Sequence, residues 1–440
     1  MASNTKVKRG PAARLGRWAP YFIALGWWLC FIPGFYSGDS FGALNEAASQ
    51  ITPAYTATWP LYLRAVTVGG QFPGAATLVN VFILTYALQF WARTSLKPRV
   101  GDRVAILMTA TPLVGAVGIT LWHDVLMTSG LLLLAGVASS SHWFRATLGT
   151  QNLGHLLLAS VLVCFRPNGP PTLALFFCLT FLLERRREVA VHGLVAMATA
   201  LAVWGGATIV TGNRSLVMPV FAQEWMRNDL SCLLSRDPSL VPEAGYKFAA
   251  IGGVAAWTES SGCWGLNPLR LRSSDLHRSL ELIPRIWLNT ALASPAAIIR
   301  VHTDRNAYLI PVPRLHALST PFIHSTIEFP DRGIRWVNPK WSELARTYVR
   351  LWNAGRGILA FAGVWLAVLV VLMWTQSLHG VIFGPTVLVS FSLVGLLFMT
   401  APIPDARYAL FVLITGQAGI IAAVLDATER RRTGRRLRHQ

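Results

Sequence analysis

The chain has 440 residues, 53% of them hydrophobic and 13% charged, with a mean hydropathy of +0.45 and a formal net charge of +19. Globular proteins carry roughly 25% charged residues, whereas here the apolar residues run in blocks of about 20, the length that matches a bilayer core. These figures exclude a soluble nucleic-acid binder, a secreted disulfide scaffold and a disordered chain. They leave an all-α polytopic transmembrane protein with a mostly helical external domain.

In chain order, apolar runs predict about ten spans near 18–37, 74–93, 104–122, 124–141, 152–166, 170–184, 189–211, 357–376, 379–400 and 407–426. The first run follows Lys6, Lys8, Arg9, Arg14 and Arg17 and lacks a small-residue cleavage site, so it reads as an anchor and not a removed signal peptide. Counting the spans off puts the N-terminus, the 93–103, 142–151 and 185–187 connections and the tail after 426 on one side. That side collects 19 basic residues against five acidic ones, Asp102, Glu184, Glu188, Asp426 and Glu429. By the positive-inside rule it is the cytosol. The expected layout is a seven-span N-terminal membrane domain (1–211), an external domain (212–356), three C-terminal spans (357–426) and a basic cytosolic tail (427–440) in a plasma membrane.

The 212–356 segment mixes Arg, Asp and Glu with turn residues and seven tryptophans. Within it, Leu276, Leu280, Ile283, Trp287 and Ala291 recur at helical spacing, which predicts an amphipathic helix over 275–300, with Pro284 placed to kink or split it. Of five cysteines, Cys30, Cys164 and Cys178 fall in or beside apolar runs, as small buried hydrophobes do. Cys232 and Cys263 share the external segment, where an oxidising exterior permits a disulfide between them. No Cys or His cluster has metal-ligand spacing, and no metal or cofactor is expected. The arginine-rich tail from Arg430 reads as a topology anchor drawn to anionic lipid, not as a nucleic-acid site.

No span carries a charge in its middle, which counts against a proton- or sodium-driven transporter. A transporter or lipid flippase is the runner-up reading, and it predicts pseudo-symmetric halves and mid-depth charges that the sequence does not show. Polar residues gather instead at the external helix mouths, in four clusters. These are Ser37-Gly38-Asp39-Ser40, followed by Glu46 and Trp59-Pro60-Leu61-Tyr62; Trp122-His123-Asp124; Phe165-Arg166-Pro167-Asn168-Gly169; and Pro402 to Asp405 leading into Ala406-Arg407-Tyr408. Carboxylates, a histidine and arginines on one side at one depth suit group transfer from a phosphate-linked lipid. A carboxylate accepts a hydroxyl proton, while arginine and histidine meet the phosphate.

Each residue also has a plainer role. Asp39 and Asp124 suit helix N-termini. Glu46 suits a polar helix face, Trp59 an interfacial belt, and Arg166 and Arg407 a snorkelling position. Asn168-Gly169 suits a tight turn, His123 an interfacial polar tip, and His302 and Arg305 a solvated helix face.

The arrangement resembles the GT-C superfamily of membrane glycosyltransferases. Gly38-Asp39-Ser40 and the short amphipathic helix after it (Phe41, Leu44, Ala47, Ala48) look like that superfamily's first external loop, which holds its catalytic acid. Trp59-Pro60-Leu61 looks like the Trp-His-Pro-Pro-Leu element of many bacterial members, and Trp122-His123-Asp124-Val125 like their Trp-Lys-Asp motif. Arg166-Pro167-Asn168-Gly169 resembles an Arg-x-Asn-Gly turn, and Arg407-Tyr408 an Arg-Tyr at a late span's mouth. The external segment matches loosely, around Pro295 to Tyr308.

The resemblance implies an inverting transferase with Asp39 as catalytic base. It implies Glu46, Trp59, His123, Asp124, Arg166, Asn168, His302, Arg305, Arg407 and Tyr408 as substrate contacts. The expected partners are membrane lipids, a polyprenyl-phosphate sugar donor and a glycan or glycolipid acceptor. The first loop carries one Asp where many members carry paired acids, and Thr58-Trp59-Pro60 replaces the His-Pro-Pro element. An inactive scaffold derived from such an enzyme is the alternative these departures raise.

Overall fold

The computed structural model describes residues 11–49, 56–140, 149–212, 223–241, 273–309, 325–328, 330–354, 359–377, 384–400 and 405–438. Among these the chain is helical, and its β pairings are two isolated bridges. The N-terminal half holds α1 (Pro11–Phe31), α2 (Gly38–Ala48), α3 (Thr58–Val66), α4 (Pro73–Ser95), α5 (Pro98–Ala110), α6 (Gly115–Gly118), α7 (His123–Ser140), α8 (Thr150–Val163), α9 (Gly169–Glu184) and α10 (Arg187–Thr211). Then come α11 (Glu224–Arg236), α12 (Ser273–Ala293), α13 (Pro295–Arg305), α14 (Pro339–Ala354), α15 (Ala362–Ser377), α16 (Gly384–Thr400) and α17 (Leu410–Arg438).

Four helices, α4, α7, α10 and α17 with the turn before it, are long and apolar enough to cross a membrane; the bent pair α12–α13 would make five. Helices α8, α9, α15 and α16 are apolar but shorter. Helix α10 is the most telling, because only 22% of its apolar window is covered by the rest of the protein. Leu194, Leu201 and Ile209 face outward along it, an arrangement that suits lipid and not water.

Helix α7 is the opposite case. It is apolar all round and buried along nearly its whole length between α4, α8, α16 and α17. Between membrane helices close contact replaces water exclusion as the packing force, and small residues permit it. Accordingly, a Cβ on Gly130 would lie 2.9 Å from the Ala159 carbonyl of α8.

Two expected spans are corrected. The run 104–122 is not one helix: α5 stops at Ala110, and the chain turns before the single turn of α6. Pro112 is the cause. It holds Thr111 in extended backbone (φ −74°, ψ 149°) and would clash with a carbonyl one turn back. Trp27 of α1 fills the break. Its indole donates to the Thr109 carbonyl (3.1 Å), and a Cβ on Gly115 would lie 2.0 Å from that nitrogen. The first span likewise ends at Phe31, not 37, because Pro33 follows.

Residues 34–36 beyond it run extended between two other segments. Phe35 pairs with Thr120 and Tyr36 with Ile327. Gly34 has φ +124°, and a Cβ there would lie 2.5 Å from the Ile119 carbonyl, so only glycine fits. This ribbon lays the first loop against the start of α7.

The amphipathic helix expected over 275–300 also differs. Helix α12 continues through Pro284 and ends at Ala293, and the chain turns by 114° into α13. Pro295 stands at the first position of α13, where its missing N–H costs nothing. Helices α11, α12 and α13 close a small core of their own from Leu230, Leu233, Ile283, Ile286, Ile298 and Val301. Cys232, in this core, is disulfide-bonded, while Cys30, Cys164 and Cys178 are free. Cys263, the expected partner, lies outside the described residues, as do Pro402 to Pro404 of the fourth mouth cluster.

The helices sort charge to their ends. Lys97, between α4 and α5, reaches Asp426 (2.7 Å), and Arg103 reaches Glu429 (2.5 Å). Asp426 lies 16 residues along α17 from Leu410, about 24 Å at 1.5 Å per residue. The opposite end of α17 adjoins Arg407 and the mouth clusters.

Candidate functional site

Each mouth cluster is fixed by the backbone around it. Ser37 caps α2, its N–H donating to Ser40 Oγ (3.1 Å). Ser40 Oγ donates in turn to the Leu121 carbonyl (2.9 Å), and Trp122 Nε1 donates to Ser37 Oγ (2.9 Å). The first half of loop one is thereby tied to the Trp122-His123-Asp124 motif. At the other end of α2, Arg64 Nε donates to the Ala47 carbonyl (2.8 Å), one of the terminal carbonyls a helix leaves unpaired.

Helix α3 is tied to the third motif. Thr58 Oγ1 donates to the Cys164 carbonyl (2.7 Å) and Thr56 Oγ1 to that of Phe165 (2.9 Å), capping the end of α8. Gly169 closes the turn after it, where a Cβ would fall 1.8 Å from the Val163 carbonyl. In the fourth cluster, Asp405 Oδ1 accepts from the Arg407 N–H (3.0 Å) and starts a single 3-10 turn over Ala406–Ala409.

These supports bring side chains from all four clusters into one ionic network. Arg407 reaches Asp39 through a terminal guanidinium nitrogen (2.8 Å) and Asp405 through Nε (2.7 Å). Arg166 pairs with Asp124 in a short contact. The Tyr408 ring lies against both guanidinium groups, with Arg166 4.2 Å and Arg407 5.4 Å from its centroid; Arg407 also lies 5.1 Å from the Trp122 ring. All are within cation–π range.

Asp124, Asp405, His123 and Tyr408 are buried. Asp39 is the exposed member, with 38% of its side chain accessible. It sits in the first turn of α2, and Ser37 takes the cap that the sequence also allowed Asp39. Burial raises the Asp405 carboxyl above the ordinary carboxylate range, against the pull of the Arg407 guanidinium. His123 lies within the electrostatic reach of Asp39, Arg166 and Arg407.

Four buried polar atoms in this region, Asp124 Oδ2, Arg166 Nε, Asn168 Oδ1 and Arg407 Nε, have no well-aligned hydrogen-bond partner among the described residues, although Arg407 Nε is in ion-pair range of Asp405. Buried polar atoms are nearly always satisfied, and exceptions also lie outside this region, at Asn80 and Trp352.

Other expected site residues lie elsewhere. Trp59 is 1% exposed, stacked on Tyr62 (5.5 Å) and packed against His123 (5.9 Å) and Phe165 (6.2 Å). It is a wall behind His123 and not an interfacial belt residue. Glu46 sits seven residues beyond Asp39 on α2, about 10 Å along the axis.

His302 and Arg305 are buried around Asp229, which corrects the expectation of a solvated face. His302 Nδ1 (3.0 Å), Arg305 (3.0 Å) and Trp287 Nε1 (3.1 Å) converge on that carboxylate. His302 Nε2 and the Asn306 amide both meet the Phe398 carbonyl in the last turn of α16. The pair therefore ties the small α11–α13 core to a helix end.

Other residues complete the site. Asp405, Ser37 and Ser40 stand in the sequence clusters without a role of their own: Asp405 is an acid two residues before Arg407 in a turn, and Ser37 and Ser40 have capping spacing. Glu328 has no such signal, yet its carboxylate accepts from the Gly38 N–H (2.6 Å) at the start of α2. The chain matches no family model, no curated protein and no solved structure.

Proposed function

We propose that the chain is a multi-pass plasma-membrane glycosyltransferase of GT-C type, moving a sugar from a polyprenyl-phosphate donor to a cell-envelope acceptor. In this reading about ten helices span the bilayer, both termini are cytosolic, and residues 212–356 lie outside. The observation that supports it most is the meeting of four mouth clusters, drawn from positions 37 to 408, around buried polar atoms without partners and one exposed carboxylate.

The acceptor hydroxyl attacks the anomeric carbon of the donor. Its proton passes to the Asp39 carboxylate and then to water. The bond from the anomeric carbon to the phosphate oxygen breaks with its electron pair, releasing polyprenyl phosphate. Arg166 and Arg407 balance the leaving charge with N–H groups that their carboxylate partners leave available. Asp124 and Asp405 hold those guanidinium groups in place.

The pairing of Asp39 with Arg407 favours a second reading, a glycosyltransferase-like scaffold in which these ion pairs only hold helix ends together. One experiment separates the two. The purified protein in nanodiscs is incubated with radiolabelled polyprenyl-phosphate sugars and envelope glycolipid, alongside Asp39→Asn. The enzyme reading expects transfer that disappears in the variant while melting is unchanged. Equal transfer by both proteins refutes the role of Asp39, and no transfer by either supports the scaffold.

A further inference from the structure

Helix α14 presents three faces. At 100° per residue, Ser342 and Val349 share the face turned to the protein, and both are fully buried. Ser342 Oγ donates to the Cys30 carbonyl of α1 (2.7 Å), and Tyr348 stacks on Trp27 (6.1 Å). Thr347, Arg350 and Lys340 lie on a second, exposed face.

Between them runs a stripe of Trp341, Leu344, Tyr348 and Leu351, all within about 80° of arc. Their exposure runs from 42% to 69%, far too much large apolar surface for water to cover without cost. The stripe continues onto α1, where Leu29 is also exposed, and Val337 extends it at its start. From Arg335 to Arg350 the segment holds four basic residues and one acid, Glu343.

We propose that α14 lies in the headgroup region of the outer leaflet, with this stripe sunk into the bilayer. An apolar face carrying Trp and Tyr, a basic flank and a third face docked on a span are what an interfacial helix requires. The net positive charge complements lipid phosphate. This seating bears on the site. Just before α14, Trp336 Nε1 donates to the Gly34 carbonyl (3.1 Å) and Val337 N–H to that of Ile32 (2.9 Å). The lipid surface thus anchors the strap whose residues 326–328 hold Tyr36 and the start of α2.

The inference rests on the membrane reading, so its test carries a separate control for that reading. Spin labels are placed at Leu344→Cys and Leu351→Cys, at Thr347→Cys on the polar face, and at Leu201→Cys on the outward face of α10. The background has Cys30, Cys164 and Cys178 replaced by Ser, and the full chain sits in phosphatidylcholine–phosphatidylglycerol nanodiscs. Relaxation by oxygen is compared with relaxation by a water-soluble nickel chelate. The expected oxygen-to-nickel ratio at 344 and 351 is several-fold above that at 347 and approaches that at 201. A high ratio at 201 with nickel-accessible labels at 344 and 351 overturns the interfacial seating alone. Labels at 344 and 351 shielded from both reagents overturn it in favour of a protein partner. A nickel-accessible label at 201 overturns the membrane reading and this inference with it.

Discussion

Breaking the Asp124–Arg166 pair should cost far more than the pair is worth. Asp124 has 2% of its side chain exposed and Arg166 12%, so water does little to rescue either charge left alone. At a contact distance of about 3 Å and an effective dielectric of about 20, two unit charges attract by roughly 5 kcal/mol. The desolvation of both partners offsets most of that in the intact protein, whereas removing one partner leaves the other charge uncompensated, typically at about 3–5 kcal/mol. Asp124→Asn and Arg166→Gln should therefore each destabilise strongly. The double variant should be less destabilised than the sum of the two by about 3 kcal/mol, as groups in direct contact are. Arg166→Gln also loses its contact with Tyr408, worth about 0.5–2 kcal/mol, which remains lost in the double variant and so cancels from the coupling. The assay is denaturant unfolding of the four proteins in mixed micelles, followed by tryptophan emission. Additivity within about 0.5 kcal/mol would refute the claim that these charges form one buried unit.

Glycine spacing predicts an order of damage. Gly169→Ala places a Cβ 1.8 Å from a carbonyl oxygen and Gly130→Ala one at 2.9 Å, so the first should melt well below the second, whose overpacking cost is about 1–3 kcal/mol; equal melting temperatures would contradict the packing described. Trp122→Phe should lose about 1 kcal/mol through its bond to Ser37. Ser37→Ala should lose that bond and the α2 cap as well, about 1 kcal/mol more, and the double variant should be less destabilised than the sum by about 1 kcal/mol; two additive losses would separate those groups. Peptide mapping without reductant should recover Cys232 joined to Cys263, and an alkylatable Cys232 would contradict the bonded state.

The all-helical class and the apolar helices were legible along the chain, because long apolar runs have few other ways to satisfy their backbone groups, whereas the helix lengths, such as 14 residues in α8 and 25 in α10, were not. The mouth clusters were legible because charged groups in this chain gather at helix ends, whereas mid-helix polar groups such as Asn80 and Ser129 are uncharged and buried. Local exceptions were harder. Pro112 interrupts an apolar run without changing its hydropathy, and the resulting break is stable only because Trp27, over 80 residues away, fills it. Pro284 and Pro295 look alike in the sequence. Only packing decides that the helix tolerates the first and turns at the second. Glu328 could not be read at all, since nothing local distinguishes an acid that caps a helix 290 residues earlier. His302 and Arg305 look like any polar pair three apart on a helix, and the buried Asp229 that claims them lies on another helix.

The seat of the lipid phosphate is the most direct test of the proposed chemistry. A density map of the protein in nanodiscs with bound polyprenyl phosphate should place the phosphate within about 3 Å of N–H groups of both Arg166 and Arg407, beside Asp39. A phosphate bound elsewhere, with the Asp39–Arg407 and Asp124–Arg166 pairs undisturbed and no lipid between them, would contradict it.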